Sequence, residues 1–278
     1  MSLVAFLLIS CAQVPADSTT GDDVSEDVGL DPAGDEDGDG LTNGDEDDLG
    51  TDAEDVDSDG DGMEDGAEVE AGYSPVFEWS HAYEKGDYLI GGCPVLPDED
   101  NAGPSGVADY NARVDSYVSG DTMHNLAVGG HDAFEQELPL YAMCGNYTVI
   151  TISAEWCGPC QAFAAEMAGI TETVRAKYPN FSFYEFLYQN NSGTEPTART
   201  LKSWSSNFGM DGIPVVAPED NTAKEVEWLD GTGYIPSSLV IAPDMTVIWS
   251  PMDHSDVSGV DTAKAIKDVI SDYEKSLE

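Results

Sequence analysis

The apolar positions of this chain fall into two kinds of run. Tyr147-Thr148-Val149-Ile150-Thr151-Ile152 is short, continuous and β-branched, the pattern of a strand buried on both faces. From Phe163 the apolar residues recur at Met167, Ile170 and Val174, spacings that predict one face of a helix, ended by Pro179. Further on, Ser238–Ala242 and Thr246–Ser250 read as strands joined by a Pro243-Asp244-Met245 turn. Val260, Ala263, Ile266, Val269, Ile270 and Tyr273 mark a last helix. This order of elements predicts an α/β domain with a mixed sheet flanked by helices.

Between the first strand and the first helix stands Trp156-Cys157-Gly158-Pro159-Cys160. A strand thus delivers two thiols to the first turn of a helix. The unpaired N–H groups and the positive dipole end favour a thiolate at Cys157. Cys160, three residues on, is within reach of a mixed disulfide formed there. That spacing suits dithiol–disulfide exchange.

Ala154-Glu155-Trp156-Cys157-Gly158-Pro159-Cys160 resembles the active-site segment of thioredoxins, and the resemblance extends to Tyr234-Ile235-Pro236-Ser237 and the strand, hairpin, strand and helix that follow. It implies a thioredoxin-like fold in which Pro236 is a cis-proline facing the cysteines. The backbone of Ile235 would then dock an extended substrate segment, and Trp156 would shield Cys157 from water. Gly212-Ile213-Pro214 is a rival for the cis-proline, but no strand–hairpin–helix ending follows it directly. Two positions depart from the family pattern. Thr151 stands where thioredoxins carry a buried Asp, and Ala165 replaces the proline that kinks their active-site helix. If the second thiol needs a base, the candidates are Glu155, Glu185 or a water. The stretches Val107–Gly145 and Asn190–Gly233 look more like those of larger, membrane-tethered periplasmic reductases.

Charge changes the picture of the N-terminal quarter. The chain has 278 residues and a formal net charge of -45, with 24 acids and no Lys or Arg before residue 73. Such a surface cannot neutralise phosphates, which excludes nucleic acid as a partner. Within the acidic stretch, Asp35-Glu36-Asp37-Gly38-Asp39-Gly40-Leu41-Thr42-Asn43-Gly44-Asp45-Glu46 is repeated, 22 residues on, from Asp57 to Glu68. Both copies fit the oxygen-ligand pattern of calcium loops. Asp35, Asp37 and Asp39, or Asp57, Asp59 and Asp61, would converge on one cation. The carbonyls of Leu41 and Met63 would add a ligand, and Glu46 and Glu68 would chelate with two oxygens. Val28–Gly34 contains Pro32 and little apolar surface, so no EF-hand helix enters the first loop. The repeats resemble thrombospondin type 3 repeats instead, which implies bound Ca2+ and almost no apolar core.

Met1–Ser10 is too short an apolar run to span a membrane but suits the core of a secretory signal. Leu8-Ile9-Ser10-Cys11 resembles a bacterial lipobox, with Cys11 lipidated and Ala12 of the kind that follows in outer-membrane lipoproteins; no Lys or Arg precedes the apolar run. Cys93 and Cys144 remain. In an oxidising compartment they are expected to pair as a structural disulfide, the alternative being that Cys144 resolves or regulates Cys157.

These readings divide the chain into a lipoprotein signal (1–10), a flexible acidic tether (11–30), calcium repeats (31–72) and a thioredoxin-like domain (73–278), its core from about Val107 onward. The expected protein is a monomeric, lipid-anchored thiol–disulfide oxidoreductase, more reductase than oxidase, facing the periplasm or the cell surface. It needs no cofactor for its redox chemistry, and its partners are protein disulfides or dithiols and an upstream electron donor. The competing expectation is a calcium-stiffened surface adhesion protein whose cysteines form an inert bridge.

Overall fold

A computed structural model describes residues 29–93, 97, 102–107, 115–218, 234–253 and 260–278. The signal, most of the tether and Cys11 lie outside these residues.

Two short helices, α1 (Asn43–Leu49) and α2 (Asp65–Ala71), each close one acidic loop and end on a left-handed glycine, Gly50 or Gly72. Residues 73–93 then cross to the main domain without regular structure. A two-residue pair, β1 (Gly106–Val107) with β2 (Asp115–Ser116), stands apart. The main sheet takes β3 (His131–Asp132), β4 (Tyr147–Ala154), β5 (Phe181–Gln189), β6 (Val215–Ala217), β7 (Ser237–Ile241) and β8 (Val247–Trp249). Its helices are α3 (Gly158–Arg175), α4 (Ala198–Phe208) and α5 (Ala263–Ser276). The strand order is β3-β6-β5-β4-β7-β8. β4, β5 and β6 run parallel, whereas β3, β7 and β8 pair antiparallel to their neighbours. The fold is therefore a mixed α/β sheet with its most apolar strands at the centre, where both faces are covered.

Parity along the central strands separates two cores. Tyr147, Val149, Phe181, Phe183 and Leu187 face α3, α4 and α5. Ile150, Ile152, Tyr184 and Phe186 face the other way. No helix of regular α form covers that second face among the described residues. It is closed by the 3-10 turn Leu140–Met143 and by Tyr117, Met123 and Leu126, together with Phe77, Trp79, Tyr83, Tyr88 and Ile90 from the crossing segment. The core thus begins well before Val107, which corrects the expected boundary. Aromatic residues without periodicity supply the missing layer, and only the fold reveals where they go.

The element boundaries moved slightly. β4 continues two residues past Ile152 to Ala154. α3 ends at Arg175, and the Lys177 and Tyr178 N–H groups still donate to the Val174 carbonyl before Pro179. β7 begins and ends one residue earlier than expected, β8 is shorter than expected, and Val260 lies buried ahead of α5 rather than inside it. No helix among the described residues is long and apolar enough to cross a membrane.

Candidate functional site

The C-terminal end of β4 turns at Glu155-Trp156 and enters α3, with Cys157 as the N-cap. Its Sγ lies 3.2 Å from the Cys160 N–H, which donates to it, and Pro159 occupies the first turn, where no N–H is needed. Cys157 and Cys160 are joined as a disulfide, with Cα atoms 5.2 Å apart. Cys157 is 4% exposed and Cys160 fully buried, so an incoming group meets the first sulfur and not the second. The helix N-terminus stabilises negative charge on that sulfur.

Opposite the disulfide, the Ile235–Pro236 peptide is cis, and among the described residues it is the one cis bond. The Pro214 peptide is trans, so Gly212-Ile213-Pro214 is not its counterpart. Pro214 instead accepts, through its carbonyl, a bond from the Glu185 N–H. Ile235 directs its carbonyl oxygen to 3.7 Å from Cys157 Sγ. A groove of about 450 Å³ runs from here along α3, lined by Pro159, Phe163, Glu166, Pro236, Val260 and Asp261. The sequence reading missed Glu166 and Asp261, which place two carboxylates on the groove wall. Trp156 is half exposed and donates from Nε1 to Gln189 Oε1 at 3.0 Å, another partner not foreseen. Of the candidate bases, Glu155 is at the rim and already accepts from the Asn191 N–H at 2.8 Å, whereas Glu185 is fully buried.

Helix-borne Cys-x-x-Cys, a facing cis-proline and the central β5-β4-β7-β8 order with a closing helix occur together. The fold is thioredoxin-like. No protein-family model matches the chain, and no curated protein does. Solved structures similar to it include a domain of a possible thiol-disulfide isomerase from Cytophaga hutchinsonii ATCC 33406, at 18% identity and TM-score 0.45, covering 58% of this chain and 97% of that one. The thioredoxin domain of a thiol-disulfide oxidoreductase from Bacteroides vulgatus is similar at 14% identity and TM-score 0.43, covering 55% and 98%. The exposed lipoprotein thioredoxin of Streptococcus pneumoniae strain TIGR4 is similar at 15% identity and TM-score 0.39, covering 54% and 98%. The fold reading rests on this chain's own strand order and site geometry.

Cys93 and Cys144 are also joined, with Cα atoms 4.9 Å apart. The bond holds the end of the crossing segment to the loop before β4, on the sheet face that lacks helices. Cys144 Sγ is therefore engaged away from Cys157.

The two acidic loops are wired alike. In the first, the Gly38, Asp39 and Leu41 N–H groups donate to Asp35, Asp37 and Asp39 side chains. In the second, Gly60, Asp61 and Met63 do the same to Asp57, Asp59 and Asp61. Gly40 and Gly62 take left-handed backbone angles at the sharp turn. In each loop the three Asp carboxylates offer oxygens within 4.8 Å of one another. Glu46 and Glu68 are fully buried beside them. Glu46 Oε2, both oxygens of Glu68, and one oxygen each of Asp37, Asp59 and Asp61 have no hydrogen-bond partner. Burial first, then the neighbouring Asp59, Asp61, Asp65 and Asp57, pushes the Glu68 carboxyl up to about 8, and Glu46 is raised for the same kinds of reason. Orphaned, all-oxygen, mutually repelling donors fit a hard divalent cation. Asn43 and Asp65, buried at the ninth position of each loop, were missed. They hold the loop closed by accepting from the Glu36 and Ser58 N–H groups, and the ninth-position rule for calcium loops was the available signal.

Proposed function

We propose that the chain is a thiol–disulfide oxidoreductase acting in the reducing direction on protein disulfides. The observation that carries this is the meeting at one point of Cys157 Sγ, the Cys160 N–H 3.2 Å away and the Ile235 carbonyl 3.7 Å away beside cis-Pro236. In the dithiol form, the Cys157 thiolate attacks one sulfur of a substrate disulfide. One substrate thiolate leaves and a mixed disulfide forms. Cys160 then attacks Cys157 Sγ, closing the internal disulfide and releasing the second substrate thiolate. Two electrons pass to the substrate, and an external dithiol donor must restore them. Pro236 and the Ile235 backbone offer an edge for an extended segment, and Glu166 and Asp261 favour basic residues within it. The test is reduction of insulin disulfides by a dithiol donor, with Cys157→Ser as control. A wild-type rate no faster than the control leaves only an inert bridge on a tethered scaffold.

The N-terminal repeats support a second, separable assignment: two Ca2+ sites. Asp35, Asp37, Asp39, the Leu41 carbonyl and Glu46 would hold one ion. Asp57, Asp59, Asp61, the Met63 carbonyl and Glu68 would hold the other. The ions would offset carboxylate repulsion in a module with little apolar core. The orphaned buried oxygens of Glu46 and Glu68 support this reading, and isothermal titration with CaCl2 tests it, two sites being expected. A lipid anchor at Cys11, fixing the protein to the outer membrane of a bacterium, completes the proposal. Mass spectrometry of the mature N-terminus checks it.

A further inference from the structure

β5 is buried on both faces from Phe181 to Leu187, and its side chains sort by parity. Phe181, Phe183 and Leu187 belong to the core under α3, whereas Tyr184 and Phe186 belong to the opposite one. Glu185 therefore points with Phe183 and Leu187 into the helical core. That core also contains Cys157, Cys160 and Ala164 on the inner side of α3.

The surroundings of Glu185 are apolar or neutral. Its register partners are Thr151 on β4 and Val215 on β6. Ser153 follows Thr151 on the same face of β4. Ala164 and Met167 of α3, and Leu201 and Trp204 of α4, belong to the same core. Neither carboxylate oxygen of Glu185 has a hydrogen-bond partner within 3.5 Å. Burial pushes the carboxyl up to about 8, against an opposing pull from the Ser153 hydroxyl. No charged side chain contributes at Glu185, which feels only burial and the Ser153 hydroxyl; the buried titratable residues that share its core are Cys157, Cys160, Tyr147 and Tyr178. Thr151 is engaged elsewhere, with its Oγ1 3.2 Å from Ser238 Oγ.

An unpaired carboxyl in such a place destabilises the fold and contributes nothing to packing that Leu or Gln would not. Cys160 has the complementary need. Its sulfur is fully buried, so bulk water cannot take or return its proton.

Resting on the redox reading above, we propose that Glu185 is the buried proton partner of Cys160, acting from the strand beside the one that carries Thr151. When the mixed disulfide resolves, the Cys160 S–H proton passes to the Glu185 carboxylate. The Cys160 sulfur then bonds to Cys157 Sγ, and the substrate thiolate leaves with the electron pair of the broken S–S bond. When a donor reduces the internal disulfide, Cys160 leaves as a thiolate and recovers the proton from Glu185. No oxidant or metal enters this balance.

The experiment is a stopped-flow reaction of reduced protein with dithiobis-nitrobenzoate, which releases one coloured thiolate when Cys157 attacks and a second when Cys160 resolves. In wild type, the second release should quicken as pH rises through about 8. Glu185→Gln should leave the first release unchanged, slow the second roughly tenfold to a hundredfold at pH 7, and flatten its pH profile. A folded Glu185→Gln protein with the wild-type second rate and profile overturns the proposal. Should that variant not fold, infrared difference spectra of wild type decide. A carboxylic acid band that changes between the disulfide and dithiol states supports the assignment, and an unchanged band refutes it. Loss of the first release in wild type would instead remove the redox reading itself.

Discussion

Glu68 and Glu185 are both fully buried acids, and both are pushed up to about 8, yet they sit in opposite kinds of surroundings. Glu68 is raised first by burial and then by the repulsion of other carboxylates, Asp59, Asp61, Asp65 and Asp57. Glu185 lies in the helical core with no other carboxylate near it, and burial raises it against the pull of the Ser153 hydroxyl. A crowded acid is relieved best by a divalent cation, which satisfies several oxygens together. A solitary acid has no such partner and is relieved by a proton. The same raised affinity for positive charge therefore supports the proposed ion site in one region and the proposed proton site in the other. The comparison shows that a raised carboxyl identifies a function only together with its neighbours.

The largest expected effect concerns the crowded region. Removing calcium with a chelator should leave residues 31–74 without fixed structure, because their carboxylates then repel with little apolar core to oppose them. Circular dichroism of the protein in calcium and then in chelator checks this, and identical spectra would refute it. Calcium affinity should also rise with pH up to about 8, since Glu68 must give up its proton to chelate. Glu68→Gln should weaken binding by at least about tenfold, two of the ion's oxygens being lost or made neutral.

The second effect belongs to the solitary acid. The Glu185 carboxyl has a higher pKa folded than unfolded, so the folded state binds more protons and stability must fall as pH rises. The fall begins near the unfolded value, about 4.5, and levels off above about 8. Its slope should be about 1.4 kcal/mol per pH unit, and its total on the order of 3–5 kcal/mol. Glu185→Gln should remove this component and stabilise the protein at pH 8. Urea midpoints at pH 5, 7 and 9, with calcium present to hold the repeats constant, provide the measurement. A variant whose slope matches wild type would show that Glu185 is not the titrating group.

A smaller effect separates the two faces of the sheet. The helical face is held by α3, α4 and α5, while the other is closed by irregular chain and the Cys93–Cys144 bond. Replacing both of these cysteines by Ala should cost about 2–4 kcal/mol. Cys157 should remain as reactive as before, because it lies on the other side of β4. Thermal unfolding and iodoacetamide labelling of the variant test the two halves of this statement.

Much of the site was readable because its signals are local. Cys157, Gly158, Pro159 and Cys160 carry their own geometry at a helix start. Ile235-Pro236 announces itself by the strand that follows, and the loop pattern places Asp, Gly and Glu in register twice. The rest depends on long-range packing. Phe77, Trp79, Tyr83 and Tyr88 show no period, so nothing in the chain says that they roof a sheet face. Glu185 stands in a strand buried on both sides, where alternation vanishes and the facing core cannot be read without the register to Thr151. Glu155 and Glu185 were equal candidates for that reason. Asp65 and Asn43 were hidden within an excess of similar polar residues, where only the ninth-position rule singles them out in the sequence and their burial does so in the fold.

The smallest predicted effect is at Trp156, where β4 gives way to α3. Its ring is half exposed, and its Nε1–H reaches Gln189 on the strand that also carries Glu185. A half-exposed ring contributes little to packing, so Trp156→Ala should change stability by under about 1 kcal/mol. The proposed shielding of the first sulfur by this ring predicts that its loss changes the alkylation rate of Cys157 a few-fold, about as far as a neutral neighbour can move a charge that a helix terminus already favours. Gln189→Ala breaks the hydrogen bond but keeps the ring, so it should leave both quantities nearly unchanged. If Trp156→Ala unfolds the domain while Cys157 keeps its reactivity, the ring is a packing element. The contrast between the two buried acids would be untouched by that result, because neither depends on the indole for its surroundings.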